Sequence, residues 1–271
     1  IFFNQNIYIK YWLKFSTMAE SFALILAAFL TSALSAIIGM GGGITLLGIM
    51  AIIMPDGYLV VAYHGIIQLV SNVTRLTVYR EHIEKKIIKK YFFGIVPGLL
   101  IAGMLIYFLT IFFKVSSADQ IQIDYLKSLI GIYIIWFLYI RKKGKAISES
   151  AFIWMGVLSG LVTVFVGAAG PLIAPLFINS NLKKHSVIAT KAVCQAFGHL
   201  GKIPIFIFLF NVNYVSDWKI IIPLVIAVYF GTKFGKKMLG KLPESIFQTI
   251  FRVALTIIAL RLISIELIAL L

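Results

Sequence analysis

The sequence predicts an all-α polytopic membrane protein: two inverted repeats of about four transmembrane helices each, each repeat carrying a Gly-rich helix break and a short half-helix. Three observations predict it. First, 61% of the 271 residues are hydrophobic and only 13% charged, with a mean hydropathy of +0.99. A soluble domain is nearer one quarter charged, so this much apolar surface has to meet lipid. Second, the charge is lopsided, with 25 basic against 10 acidic residues and a net +15, and the basic residues sit mainly between apolar runs. Third, one pattern occurs twice. Gly39-Met40-Gly41-Gly42-Gly43 is followed by a polar row from His64 to Arg75, and Gly167-Ala168-Ala169-Gly170-Pro171 by a row from Lys191 to Lys202. A shift of 127 residues carries Gly43 onto Gly170, His64 onto Lys191, Gln68 onto Gln195, Asn72 onto His199 and Arg75 onto Lys202.

Taken in order, Ile1 to Phe15 mixes aromatic and basic residues and reads as a short interfacial segment, with no signal-cleavage pattern. Ser21 to Ile38 is uncharged and long enough to span a bilayer. The glycine cluster breaks it. Ile44 to Met54 is apolar but short, and Pro55-Asp56-Gly57 ends it with turn chemistry, which suits a half-helix or re-entrant segment. Leu59 to Tyr79 is the next span and carries the first polar row; Arg80 to Lys90 reads as a basic loop. Tyr91 to Phe113 is an uncharged span with a bend expected near Pro97. After a more acidic connection around Asp119 and Asp124, Ile123 to Ile140 crosses back, and Arg141 to Lys145 form a second basic loop.

The second half repeats the plan. Ala151 to Val166 is a span, Gly167 to Gly170 a break, and Pro171 to Ile178 a short apolar segment. Lys183, Lys184 and His185 then precede the second polar-row helix, which runs to about Phe210. Lys219 to Thr232 crosses, Lys233 to Lys241 is basic, and Ile246 to Leu270 is the last span. Basic loops face the cytoplasm, so 80–90, 141–149 and 233–245 lie inside and 114–123 and 211–218 outside. The two halves, 1–145 and 146–271, then enter from opposite sides and form one integral membrane domain, as secondary transporters do. Whether the short segments re-enter or cross moves the span count between about eight and ten. The expected location is the cell (inner) membrane, as a multi-pass protein with its basic loops in the cytoplasm.

The rows point to function. His64, Gln68, Asn72 and Arg75 are spaced 4, 4 and 3, as are Lys191, Gln195, His199 and Lys202, which keeps each row within a sector of roughly 80°. Ionisable groups deep in a membrane helix cost at least about 2.5 kcal/mol and turn inward. The rows hold cations and amides but no acid, which suits an anion. Where each helix breaks, free N–H groups of the next half-helix are approachable at Gly41, Gly42 and Gly43 and at Ala169 and Gly170, although Pro171 removes one donor. These thirteen residues form the candidate substrate site. Several keep a second reading: Arg75 as an interfacial snorkelling side chain, Lys191 as a positive-inside residue, the glutamines and histidines as interhelical hydrogen-bonders. Cys194, the single cysteine, reads as a small packed residue and excludes a disulfide within the chain. Arg252, Arg261 and Glu266 have no counterparts in the first half and stay outside the site.

These residues resemble the TauE/SafE sulfite exporter family, also called the toluene sulfonate uptake permease family, over nearly the whole chain. The quoted carriers are Gly39 to Gly43, the run His64-Gly65-Ile66-Ile67-Gln68-Leu69-Val70-Ser71-Asn72-Val73-Thr74-Arg75, and the Gln-containing helix after each break. The second break departs from a full glycine run. The resemblance implies a transporter of sulfur-containing anions such as sulfite or organosulfonates, often outward. The rows by themselves reach only a transporter of an anion or polar solute. A channel, a membrane-embedded enzyme and a passive structural protein are the alternatives. The enzyme is disfavoured because there is no His-Glu-x-x-His motif and His64 has no nucleophile or acid nearby in sequence. No nucleotide-binding loop is present, no cofactor or metal is called for, and nucleic acid is no partner, since no aromatic–basic module carries the charge. The expected partners are the bilayer, a small anion and a coupling proton or ion, with a homo-oligomer allowed but not required by the symmetry.

Overall fold

A computed structural model describes residues 18–39, 41–54, 57–114, 132, 134–140, 148–178, 182–239 and 243–269. The expected interfacial segment 1–15, Pro55-Asp56 of the first turn, the acidic connection, most of the 123–140 crossing and the 141–147 basic stretch lie outside the described residues. Among the described residues, the regular structure is helical throughout.

Helix α1 spans Met18–Ile38 and stops at Gly39, whose φ of +80° is open to glycine, and whose N–H returns to the Ser35 carbonyl at 2.9 Å. Helix α2, Gly42–Ile53, starts from Gly41 at φ +86°. Helix α3, Gly57–Val78, carries the first polar row, and a 3₁₀ turn, Arg80–His82, leads to α4, Lys85–Phe112. A π-type turn covers Trp136–Ile140. Helix α5, Glu149–Phe165, is capped by Ser148, whose hydroxyl accepts from the Ser150 N–H at 3.3 Å. It ends at the second break, where Gly167 has φ +90°. Then come α6, Gly170–Ile178, α7, Lys184–Leu209, with the second polar row, α8, Trp218–Leu239, and α9, Glu244–Ala269.

Among the described residues, four helices are by length and composition long and apolar enough to cross a membrane: Glu20–Ile38 within α1, and all of α4, α7 and α8. Helix α3 has 22 residues, comparable to α8, but its polar row makes it less apolar. The 12 residues of α2 and 9 of α6 reach about 18 and 14 Å at 1.5 Å per residue, against a hydrocarbon core of about 30 Å. Both are therefore too short to span it, as expected.

Charge at the helix ends is where sequence and structure differ. Helix α4 begins at Lys85, inside the stretch expected to be a loop; α7 already includes Lys184 and His185, and α8 continues through Lys233, Lys236 and Lys237. A lysine at a membrane boundary lays its methylenes on the apolar helix and extends its amine to water, so the helix need not end where charge begins. Helix α4 also continues through Pro97.

Helices α3 and α7 pack on each other at the centre, and both are lined with buried residues. Around them α4 packs on α5 and α8 on α1. Both outer pairs rest on small residues. A β-carbon at Gly94 or Gly98 of α4 would strike the backbone of α5 at Ile153 or Val157, and one at Gly231 or Gly235 of α8 would strike that of α1 at Phe29 or Ala33. The opposite faces of α4 and α8 expose Phe93, Leu100, Phe108, Ile226, Phe230 and Phe234, the surface a bilayer covers.

Candidate functional site

The two breaks place two half-helix starts beside the polar rows. The first hydrogen bond of α2 runs from the Thr45 N–H to the Gly41 carbonyl at 2.9 Å, so the three N–H groups before it have no acceptor within the helix. In α6 that first bond is Ile173 to Ala169, 3.2 Å. There Pro171 lacks an N–H, leaving Gly170 and Leu172 as donors ahead of it.

The glycines divide by what they face. A β-carbon at Gly43 would lie 3.2 Å from Gln68 Oε1, and one at Gly170 2.5 Å from Gln195 Nε2. The matched glutamines thus sit against the matched glycines, one amide at each half-helix start. Gly42 faces elsewhere: its β-carbon would overlap the Thr31 carbonyl at 1.8 Å, so its missing side chain lets α2 pack on α1. Gly41 supplies the turn, and Ala169 lies in the apolar core with Leu172 and Ile173.

Above the glutamines, the cations are buried. Arg75 is 1% exposed, which removes the snorkelling reading; Nη1 donates to Ser35 Oγ at 3.0 Å and Nη2 to Asn72 Oδ1 at 2.6 Å, with a longer contact from Nε to the Ser71 carbonyl. Lys202 Nζ donates to the Gly167 carbonyl at 2.9 Å, and its stem lies against Gly65, where a β-carbon would come within 2.5 Å of Cε. Lys191 Nζ donates to the Gly39 carbonyl, also at 2.9 Å. His64 Nε2 lies 2.7 Å from the Gly43 carbonyl oxygen, and the His64 and His199 rings meet edge to face with centroids 5.7 Å apart. All eight row residues therefore fall on the α3–α7 crossing or on a break beside it.

Two features give this centre its chemical character. The buried polar and charged residues described include Arg75, Lys191, Lys202 and both row histidines, and no carboxylate. Four buried polar atoms on the rows have no hydrogen-bond partner among the described residues: His64 Nδ1, Asn72 Nδ2, Gln195 Oε1 and His199 Nδ1. An unsatisfied buried polar group costs about 1–3 kcal/mol, so four of them within about two turns of two packed helices make this the candidate site.

Sequence reasoning missed the supports. Ser35 holds Arg75, and the carbonyls of Gly39 and Gly167 hold the lysines. Ser71, Thr232 and Ser32 form a hydroxyl chain at 3.3 and 3.4 Å that ends at the Val228 carbonyl and joins α3 to α8 and α1. In the first half of α3, the Tyr63 hydroxyl donates to Asp217, the residue before α8, beside Tyr214. The 211–218 loop was read only as an outer loop, and the Tyr63–Asp217 bond had no signal in the sequence. Arg261, left outside the site, brings its guanidinium against Gly48 of α2 rather than into the rows.

Apolar helices around a cationic, amide-lined centre define an integral membrane protein with a polar core. The chain matches the family described as Sulfite exporter TauE/SafE over residues 24–262 and belongs to it, as its motifs implied; the family is one of membrane transporters. No curated protein and no solved structure matches the chain.

Proposed function

We propose that this protein is a secondary transporter that exports a sulfur-containing anion, sulfite or an organosulfonate, across the cell membrane with its basic loops in the cytoplasm. The observation that carries the reading is the pairing of Arg75 and Lys202: both are buried, and their hydrogen bonds run to neutral oxygens. Buried charge is costly without a counter-charge, and a bound anion is the complement these side chains lack. The flanking Gln68 and Gln195 amides, with the half-helix N–H groups, offer the donors an oxyanion takes.

Alternating access between two inverted repeats, 1–145 and 146–271, is supported by the reciprocity of the packing. Helix α4 of the first half rests on α5 of the second, and α8 of the second on α1 of the first. Likewise α3 touches α8 and α4 touches α7, while α3 meets its own counterpart α7, and α2 its counterpart α6. Such exchange is what a pseudo-two-fold axis through the α3–α7 crossing generates, with the site on the axis.

The test is ligand-induced stabilisation of the purified chain with sulfite, sulfate, thiosulfate, sulfoacetate, taurine and chloride at equal ionic strength. A ligand at about 100 times its Kd stabilises the fold by about 2.7 kcal/mol. Stabilisation by a sulfur oxyanion, lost in Lys202→Ala and Gln195→Ala, is the expected result. A flat response to every anion well above millimolar overturns the reading.

A further inference from the structure

His64 differs from the other buried polar residues in having a fixed tautomer. Its Nε2 lies 2.7 Å from the Gly43 carbonyl oxygen. A carbonyl only accepts, so Nε2 carries a hydrogen. The open position is therefore Nδ1, which is buried and makes no hydrogen bond among the described residues. His199 shows no corresponding bond among the described residues, so its tautomer is not set in this way.

The surroundings decide what Nδ1 can meet. From α7 it is faced by His199, ring against ring, and by the positive charge of Lys202, whose stem crosses Gly65, the next residue after His64. Its own helix contributes Tyr63, turned away to Asp217, and Arg75 three turns on. The breaks contribute the Gly43 carbonyl, bound to Nε2, and the Gly167 carbonyl, which accepts from Lys202 and also faces the His64 ring. A neutral ring presents Nδ1 as an acceptor, which needs a donor that neither lysine nor arginine supplies in the bonds described. A protonated ring presents Nδ1 as a donor among cations; a neutral carbonyl such as that of Gly167 can accept its hydrogen bond but cannot offset its charge, which takes an anion. An anion meets the second case directly, and an anion that carries an O–H meets the first. Both routes end in the same assembly.

We infer that the anion binds together with one proton, held between an anion oxygen and His64 Nδ1. The inference rests on the anion-transport reading and deepens it: the site takes an oxyanion in its protonated form, or a fully ionised one together with a proton from water. Anion and proton then strengthen each other's binding reciprocally, which gives the transporter a direct means of coupling to a proton gradient. His64 acts here as a binding and specificity-determining residue.

The experiment counts protons on the full-length chain in detergent. Calorimetric titrations are run in buffers of different ionisation heat, with methanesulfonate, which has no O–H, and with sulfite at alkaline pH, where it is fully deprotonated. The expected result is uptake of about one proton per anion bound, lost in H64Q. In parallel, nitrogen NMR of histidine-labelled wild-type protein should show His64 Nδ1 passing from the unprotonated to the protonated range on anion addition. The signal is assigned by its absence in H64Q or, if that variant does not fold, by elimination with H82Q, H185Q and H199Q. Binding without proton uptake, uptake retained in H64Q, or a His64 signal that does not move overturns the inference and leaves anion transport standing. Failure of any anion to bind overturns both.

Discussion

Replacing Gly94 with alanine should force α4 and α5 apart. The new β-carbon would stand 1.9 Å from the Ile153 carbonyl oxygen, where ordinary contact begins at 3.4 Å, so the approach is about 1.5 Å too close. The obstacle is backbone, which cannot swing aside as a side-chain end can, and the helices have to separate along their shared face. Overpacking of this kind costs about 3 kcal/mol, of which alanine returns about 1 kcal/mol through its helix propensity, for a net loss of about 2 kcal/mol. Gly103, on the same helix, is the control. Its β-carbon would meet only the Ile205 side chain at 3.9 Å, so Gly103→Ala keeps the propensity gain. The two substitutions should therefore differ by about 3 kcal/mol in unfolding followed by circular dichroism in one detergent. Gly231→Ala should resemble Gly94→Ala, because its β-carbon would stand 2.3 Å from the Phe29 carbonyl oxygen. Equal stability of Gly94→Ala and Gly103→Ala would refute the close approach, and a loss at Gly94 with none at Gly231 would refute the reciprocal packing.

Three further outcomes follow from the site. Arg75→Lys keeps the charge but loses the fork that reaches both Ser35 and Asn72, and should weaken anion binding in calorimetry by about tenfold, one charge-assisted hydrogen bond's worth; unchanged affinity would remove Arg75 from the site. Gly170→Ala pushes on the Gln195 amide at 2.5 Å and should lower affinity more than Gly43→Ala, where the gap to Gln68 is 3.2 Å; the reverse order would show that the amides are not the ligands' neighbours. Tyr63→Phe removes the only described bond from Asp217's carboxylate to α3 and should destabilise the protein by about 1.5–3 kcal/mol in thermal unfolding, an effect that Asp217→Asn should reproduce in part if the bond to the ionised carboxylate is responsible.

The polar rows were legible because lipid makes them so: in an apolar helix, polar and charged residues every third or fourth position have to turn inward, and His64, Gln68, Asn72, Arg75, Lys191, His199 and Lys202 are buried. Glycine positions were legible only as breaks. Gly42 and Gly43 are adjacent and identical in sequence, yet one packs on Thr31 and the other faces Gln68, a difference that exists only once α1 and α3 are in place. Partners at long range were beyond reach for the same reason. Lys191 is held by a carbonyl 152 residues earlier and Arg75 by a serine 40 residues earlier, and a carbonyl has no signature in sequence. The lysines of α4 misled because charge marks the membrane boundary, not the end of the helix.

The lysine anchors have a consequence for how the sequence can vary. Both Lys191 and Lys202 are fastened to backbone oxygens of glycines in the left-handed region, Gly39 at φ +80° and Gly167 at φ +90°. No side chain is read at either point, so chemistry at positions 39 and 167 is irrelevant while conformation is decisive: any other L-residue pays about 1–2 kcal/mol to hold the same backbone. Substitutions at Gln68, Asn72 or Gln195 therefore leave the two amines where they are, because what fixes them is a bend in the chain.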